Sequence, residues 1–166
     1  MLMLPIIRLA GARDAAPIAA MSRSYIEQGL GWSWREARVL NSIRHPATNV
    51  AVATDGAEIV GFGIMQYKDD TAHLALFAIE PSHRNRGLGS QLVRWLEKPA
   101  LVAGVERVRV EARADNQPAL RFYRRLGFLP LQTVPGYYGG IVDAVRLEKL
   151  LNPSARPTPS PPPSSA

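Results

Sequence analysis

The apolar run His73-Leu-Ala-Leu-Phe-Ala-Ile79 leads through Glu80-Pro81 into Arg84-Asn-Arg-Gly87-Leu-Gly89-Ser90, and a helical stretch to Lys98 follows. A run apolar on both faces reads as a central strand. A strand that passes through two glycines into a helix narrows the choices: a sheet with a helix packed on it, and a row of helix amides at the junction. Those first amides have no internal partners, and the helix dipole adds partial positive charge there. Gly87 and Gly89 let the backbone approach a ligand closely, and Arg84 and Arg86 flank them. A diphosphate is what such a turn holds. Two glycines at an ordinary helix start would look the same, so the turn alone does not decide. It is not a P-loop, because no Gly-Lys-Ser/Thr follows. It is a poor dinucleotide fingerprint, because Leu92 stands where the third glycine belongs and the strand is not the first of its unit.

Charge agrees with an anionic partner. The 166 residues carry a formal net charge of +6, and 17 of the 20 basic residues are Arg, the side chain suited to bidentate contact with phosphate and carboxylate. There is no Cys, which excludes disulfides, thiolate metal sites and a Cys nucleophile. No apolar run approaches the roughly 20 residues of a membrane span. The start Met-Leu-Met-Leu-Pro lacks the charged region of a leader, so a cytoplasmic location with no membrane partner is the expectation. Length predicts one domain over 1–151. Residues 152–166, with six Pro and four Ser, predict a flexible tail.

The pattern predicts a strand at 5–9, a helix at 15–28 starting at Asp14, a loop at 29–34 and a helix at 35–44 closed by Pro46. Apolar runs at 49–54 and 58–67 around Asp55-Gly56 predict a hairpin. Pro99 is expected to break or kink the helix after Lys98. Residues 106–113 alternate as a strand does. Asp115 or Asn116 is expected to cap a helix running to Leu126, with Gly127 as its stop. Strands near 128–133 and 141–149 close the chain. Mixed α/β with one sheet and helices on both faces is the natural packing.

The motif Arg84-x-x-Gly87-x-Gly89 after a strand ending Ala-Ile-Glu-Pro resembles the acyl-CoA-binding motif of the GNAT superfamily of N-acetyltransferases. Asp115-Asn116-Gln-Pro-Ala-Leu-Arg-Phe-Tyr123-Arg-Arg-Leu-Gly127-Phe128 resembles that superfamily's second motif, at a matching separation, and Ile7-Arg8 … Arg13-Asp14 its usual start. The resemblance covers roughly residues 5 to 150. It implies a mostly antiparallel sheet of six to seven strands, with a V-shaped splay between two central parallel strands. It also implies acetyl-CoA as co-substrate. The amides of Arg84, Asn85, Arg86, Gly87, Leu88, Gly89 and Ser90 would cradle its pyrophosphate. The main chain of Phe77, Ala78 and Ile79 would pair with its pantetheine arm, which Asn116 would also contact.

Acyl transfer to an amine needs a deprotonated nucleophile, donors for an oxyanion, and a proton for the leaving thiolate. A backbone N–H of strand 77–79 is the oxyanion candidate. Tyr123, protonated at neutral pH and two helical turns after Asn116, is the candidate acid; a packing Tyr is the plain alternative. Glu111 is the candidate base, directly or through water. Its place beside Arg109 and Arg113 equally fits a surface ion pair. The spacing of Glu111 and Tyr123 is similar to that in bacterial ribosomal-protein alanine N-acetyltransferases. Tyr137-Tyr138 … Asp143-Ala144 resembles a segment of protein N-terminal acetyltransferases that lines the peptide groove. Trp32 and Trp34 could wall the acceptor site, hold a cation on a π face, or serve as core or dimer contacts.

His45, His73 and His83 are isolated in sequence and read as structural, with His83 near enough to the turn to meet a phosphate. No metal is expected. The reading is an N-acetyltransferase acting by direct attack on a protein N-terminus or peptide. The alternatives are a small-molecule amine acceptor (polyamine, amino sugar, amino acid) and a non-catalytic acyl-CoA sensor. A homodimer is expected by analogy only. A nucleic-acid binder, built on Arg107, Arg109, Arg113, Arg121, Arg124 and Arg125, ranks last, because no stacking aromatics are interleaved with them.

Overall fold

The computed structural model describes residues 4–151; the expected tail lies outside the described residues. The strands are β1 (Ile6–Leu9), β2 (Thr48–Asp55), β3 (Glu58–Lys68), β4 (Thr71–Ile79), β5 (Arg107–Arg113), β6 (Leu129–Tyr138) and β7 (Val142–Leu150). The helices are α1 (Ala15–Tyr25), α2 (Glu36–Arg44), α3 (Leu88–Val102) and α4 (Gln117–Arg125). One sheet runs in the order β1-β2-β3-β4-β5-β7-β6. Every neighbouring pair is antiparallel except β4 and β5.

Period-2 alternation divides the core between the two faces. In β2, Ala51 and Ala53 join the cluster packed under α3 and α4, with Leu92, Leu96, Val108, Tyr123, Phe128 and Leu147. Val50 and Val52 join the cluster under α1 and α2, with Ile18, Val39, Phe62, Ile64 and Leu76. The expected mixed sheet with helices on both faces is therefore present.

The parallel pair is short. Its register runs from Thr71 opposite Arg107 to Leu74 opposite Val110 and stops there. β4 continues to Ile79 and β5 to Arg113, so the two strands part beyond that point. A register shift between Ile64 and Met65 of β3 lies at the same level, and a bulge bends and twists the strand it interrupts. This is the expected splay.

Asp14 stands just before α1, as expected, without capping it through its side chain. It lies in a 3-10 turn, Ala12–Asp14, and its carboxylate accepts from Arg8 Nη1 at 2.7 Å and from the Gly11 amide at 2.7 Å. α1 stops at Tyr25, three residues before the expected end. α3 runs through Pro99 to Val102. Leu96 and Ala100, both fully buried, anchor the helix on either side of that proline, and their packing outweighs the one hydrogen bond it removes. β6 is longer than expected because the Gly139-Gly140 turn closes a hairpin beginning at Tyr138.

Candidate active site

The turn between β4 and α3 has the geometry its sequence suggested. Gly87 takes the left-handed conformation at φ 82°, which any other residue adopts only with strain. The Gln91 amide is the first in the helix to be answered from within, by the Gly87 carbonyl at 3.1 Å, so the amides just before it point out of the helix end. Gly89 is tightly packed: a Cβ there would stand 3.0 Å from the ring of Phe122 on α4, which would have to shift to admit it. The two motifs of the sequence therefore touch at that glycine. Asn116 caps α4, its Oδ1 accepting from the Ala119 amide at 3.1 Å.

Two flanking side chains are already engaged. Arg84 folds back and donates from Nε to the Ile79 carbonyl at 2.8 Å, which occupies one of the main-chain groups expected to face a ligand. Its guanidinium also lies 5.7 Å from the Tyr25 ring centroid. His83, expected near a phosphate, sits 2.9 Å from Asp55 Oδ2 through Nε2 and 2.9 Å from Ser82 Oγ through Nδ1.

Where β4 and β5 part, a cavity of about 240 Å³ opens. Phe77, Glu111, Tyr123, Trp34, Tyr137 and Tyr138 all line it. Ala78, Ile79, Asn116, the 84–90 turn and Trp32 do not line it. The structure thus has an amide-rich helix end following β4 and a carboxylate- and hydroxyl-bearing chamber at the gap between β4 and β5.

Glu111 is not a surface ion pair with its strand neighbours. Its side chain is 7% exposed. Oε2 lies 2.5 Å from His73 Nε2, and Oε1 accepts from Arg146 Nε at 2.9 Å. Burial pushes the Glu111 carboxyl up, but the bonds and charges of His73 and Arg146 outweigh it and hold the group below the usual carboxylate range. The arginines expected beside it go elsewhere. Arg109 bonds Glu148 at 3.1 Å; Arg113 bonds Asp115 and the carbonyls of Ile26 and Gln28.

Tyr123 is buried in a nest of rings, with Phe122 at 5.2 Å and Phe128 at 5.6 Å between centroids. Its hydroxyl has no hydrogen-bond partner among the described residues. Burial, then the nearby Tyr138 and Glu111, raise its pKa well above the ordinary phenol, so it remains a proton donor throughout the neutral range. Tyr138 donates to the Glu111 carbonyl at 3.2 Å, and Tyr137 packs edge-on against Tyr138 with 4.9 Å between centroids. Asp143 accepts from the Gly136 amide at 2.9 Å and fixes the bulge beneath this pair.

The two tryptophans divide. Trp32 lies between Arg23 and Arg35, at 5.0 Å and 4.8 Å, and donates to the Ala19 carbonyl at 3.2 Å. It binds cations of its own chain and stays outside the cavity. Trp34 forms part of the wall. Sequence reasoning missed His73, Arg146, Glu27 and Arg38, of which Glu27 and Arg38 line the cavity. Only the parallel register, which places His73 opposite Arg109, brings His73 within reach of Glu111.

The family model described as the acetyltransferase (GNAT) family matches residues 18–128. The chain belongs to the GNAT family. Among curated relatives, the GNAT chain is 38% identical over 84 residues to the N-alpha-acetyltransferase MAK3 of Arabidopsis thaliana, covering 51% of this chain and 44% of that protein. It is 34% identical over 104 residues to a mycothiol acetyltransferase of Corynebacterium glutamicum (strain R), covering 61% and 35%. The match thus spans less than half the length of either relative. In structure, the GNAT domain resembles the ribosomal-protein-S18-alanine N-acetyltransferase of Escherichia coli, with a TM-score of 0.74 and 26% identity over 92% of this chain and 97% of that one. Among the described residues, no helix is long and apolar enough to cross a membrane, and no group of His, Cys, Asp and Glu could hold a metal ion.

Proposed function

We propose that this protein transfers an acetyl group from acetyl-CoA to a primary amine, with a protein N-terminus or peptide as acceptor. The observation that carries the reading is the meeting of the ionised Glu111 and the unpaired Tyr123 hydroxyl in one cavity at the parting of β4 and β5. The amides of Leu88, Gly89 and Ser90 would take the pyrophosphate. The edge of β4 beyond Leu74, left without β5, would pair with the pantetheine arm and offer an N–H of residues 77–79 to the oxyanion. The acceptor nitrogen attacks the thioester carbonyl carbon. The carbon–sulfur bond then breaks, the thiolate takes its proton from Tyr123, and the proton shed by the acylated nitrogen returns through water to restore the Tyr123 hydroxyl.

Glu111, held below the ordinary carboxylate range, is a weak base. It serves as a fixed negative charge that attracts the ammonium, whose proton is lost to water. A peptide α-amine, with a pKa of about 8, needs little help to be neutral, whereas a Lys side chain near 10.4 needs much more. That difference favours an N-terminal acceptor, as does the likeness to MAK3. The relation to a mycothiol acetyltransferase supports the second reading, a small-molecule amine. Thiol release from acetyl-CoA, measured against N-terminal peptides, polyamines, amino sugars and amino acids, separates the two. Tight coenzyme A binding with no turnover on any acceptor would instead make the protein a sensor.

A further inference from the structure

The loop between α1 and α2 is built around a buried carboxylate. Glu27 is 6% exposed. It accepts from Ser22 Oγ at 2.9 Å, from Ser33 N at 2.7 Å, from Ser33 Oγ at 2.6 Å and from Trp34 N at 3.2 Å. Burial alone would push its carboxyl up; these donors bring it below the usual range, so it stays ionised. The bonds use its acceptor sites and fix Trp34 against the cavity wall. On the indole lies the guanidinium of Arg38 from α2, with Cζ 3.7 Å from the ring centroid.

Arg38 is exposed at the rim of the cavity. Among the described residues no carboxylate pairs with it. It acts on the same chamber as Glu111, because its charge bears on the hydroxyl of Tyr137, as do those of Glu111 and Arg146. The chamber thus carries Glu111, paired with His73 and Arg146, and, at its rim, Arg38 with no carboxylate partner among the described residues. Glu111 lies where an ammonium would be drawn in, and a stacked arginine stands at the mouth with its hydrogen-bonding fork open. Stacking holds the guanidinium plane in place, so less freedom is lost when its fork closes on a planar anion.

We infer that Arg38 selects acceptors that carry a carboxylate within one or two residues of the reacting amine. This rests on the proposed acetyltransferase reading and adds the acceptor's charge to it. The carboxylate can be an acidic side chain near a peptide's N-terminus, or the terminal carboxylate of a dipeptide.

Initial rates with acetyl-CoA should be compared for heptapeptides beginning Ala-Glu, Ala-Ala and Ala-Lys, and for the dipeptide Ala-Ala beside its C-terminal amide. The first set reads the side-chain source and the second the terminal source. Wild-type protein should favour the acidic member of at least one set by about tenfold in kcat/KM, the size a charge-assisted hydrogen bond supports. Arg38→Ala should bring that ratio close to one, mainly through KM. Arg38→Glu should turn the heptapeptide preference toward Ala-Lys, and Arg38→Lys should retain part of the acidic preference.

A wild-type ratio of one in both sets, a basic preference, or an unchanged ratio in Arg38→Ala would overturn the inference. Turnover with no charge preference would leave the acetyltransferase reading standing without it. If no acceptor is turned over, calorimetric titration of the same compounds onto protein saturated with coenzyme A still decides. Tighter binding of the carboxylate-bearing member by wild type, lost in Arg38→Ala, supports the inference; equal binding ends it.

Discussion

Under the proposed reading, proton donation is concentrated in one hydroxyl, that of Tyr123. It is surrounded by rings, has no hydrogen-bond partner among the described residues, and borders the chamber that Glu111 lines from β5. Tyr123→Phe keeps the packing and removes the donor. It should lower kcat by about 10²–10⁴-fold, with coenzyme A affinity close to wild type, as thiol release and calorimetry would measure. Glu111 supports a different expectation. Because His73 and Arg146 keep it ionised, the rise of kcat/KM with pH should follow the acceptor's α-amine, near pH 8. Glu111→Gln should lower the plateau and leave that limb where it is; loss of the limb would make Glu111 the titrating base. The sequence made Glu111 and Tyr123 legible through spacing and resemblance. It concealed the neighbours that set Glu111's charge, because His73 and Arg146 come from strands whose register no local pattern encodes.

Among elements, the contact of α3 with β7 is the exposed weakness of the core. Glu97 of α3 is 6% exposed, and Lys149 Nζ lies 3.1 Å from its carboxylate. The ammonium donates to Oε1, while Oε2, equally near it, accepts no hydrogen bond among the described residues. Burial raises the Glu97 pKa, and the Lys149 charge opposes that rise. Lys149→Met would strand the carboxylate and should cost about 3 kcal/mol in urea unfolding at pH 8, whereas Glu97→Leu with Lys149→Met should recover most of that loss. The sign of the pH effect follows from the raised pKa: the stranded charge is most costly above it, and the deficit shrinks as Glu97 takes a proton on acidification. Element boundaries show the same limit of local signals. Asp55-Gly56 marked its hairpin and Asn116 its cap, since turn and cap chemistry is local. Pro99 gave a false stop, because burial of Leu96 and Ala100 decides that stretch. Asp14 gave a true helix start by a different route, its carboxylate being claimed by Arg8.

At the scale of the whole molecule, part of the arginine complement read from composition is committed to carboxylates. Arg107 and Arg109 meet Glu148, Arg113 meets Asp115, and Arg146 meets Glu111. The basic surface that could have suggested nucleic acid is thus partly neutralised from within. The mixed sheet was legible because strand and helix periods differ along the chain. The chamber was not, since it is a gap between strands that four paired positions, Thr71 to Leu74 on β4, hold together at one end. A seam closed at one end and open at the other gives the molecule a front and a back. The helix-end amides follow β4, and the acid, the tyrosines and Arg38 gather about the open end of the seam. Under the proposed reading, acetyl donor and amine acceptor meet at this seam in one ternary complex, with neither having to leave first. Double-reciprocal plots of rate against acetyl-CoA at several acceptor concentrations should therefore intersect; parallel lines would mean that the acetyl group waits on the protein.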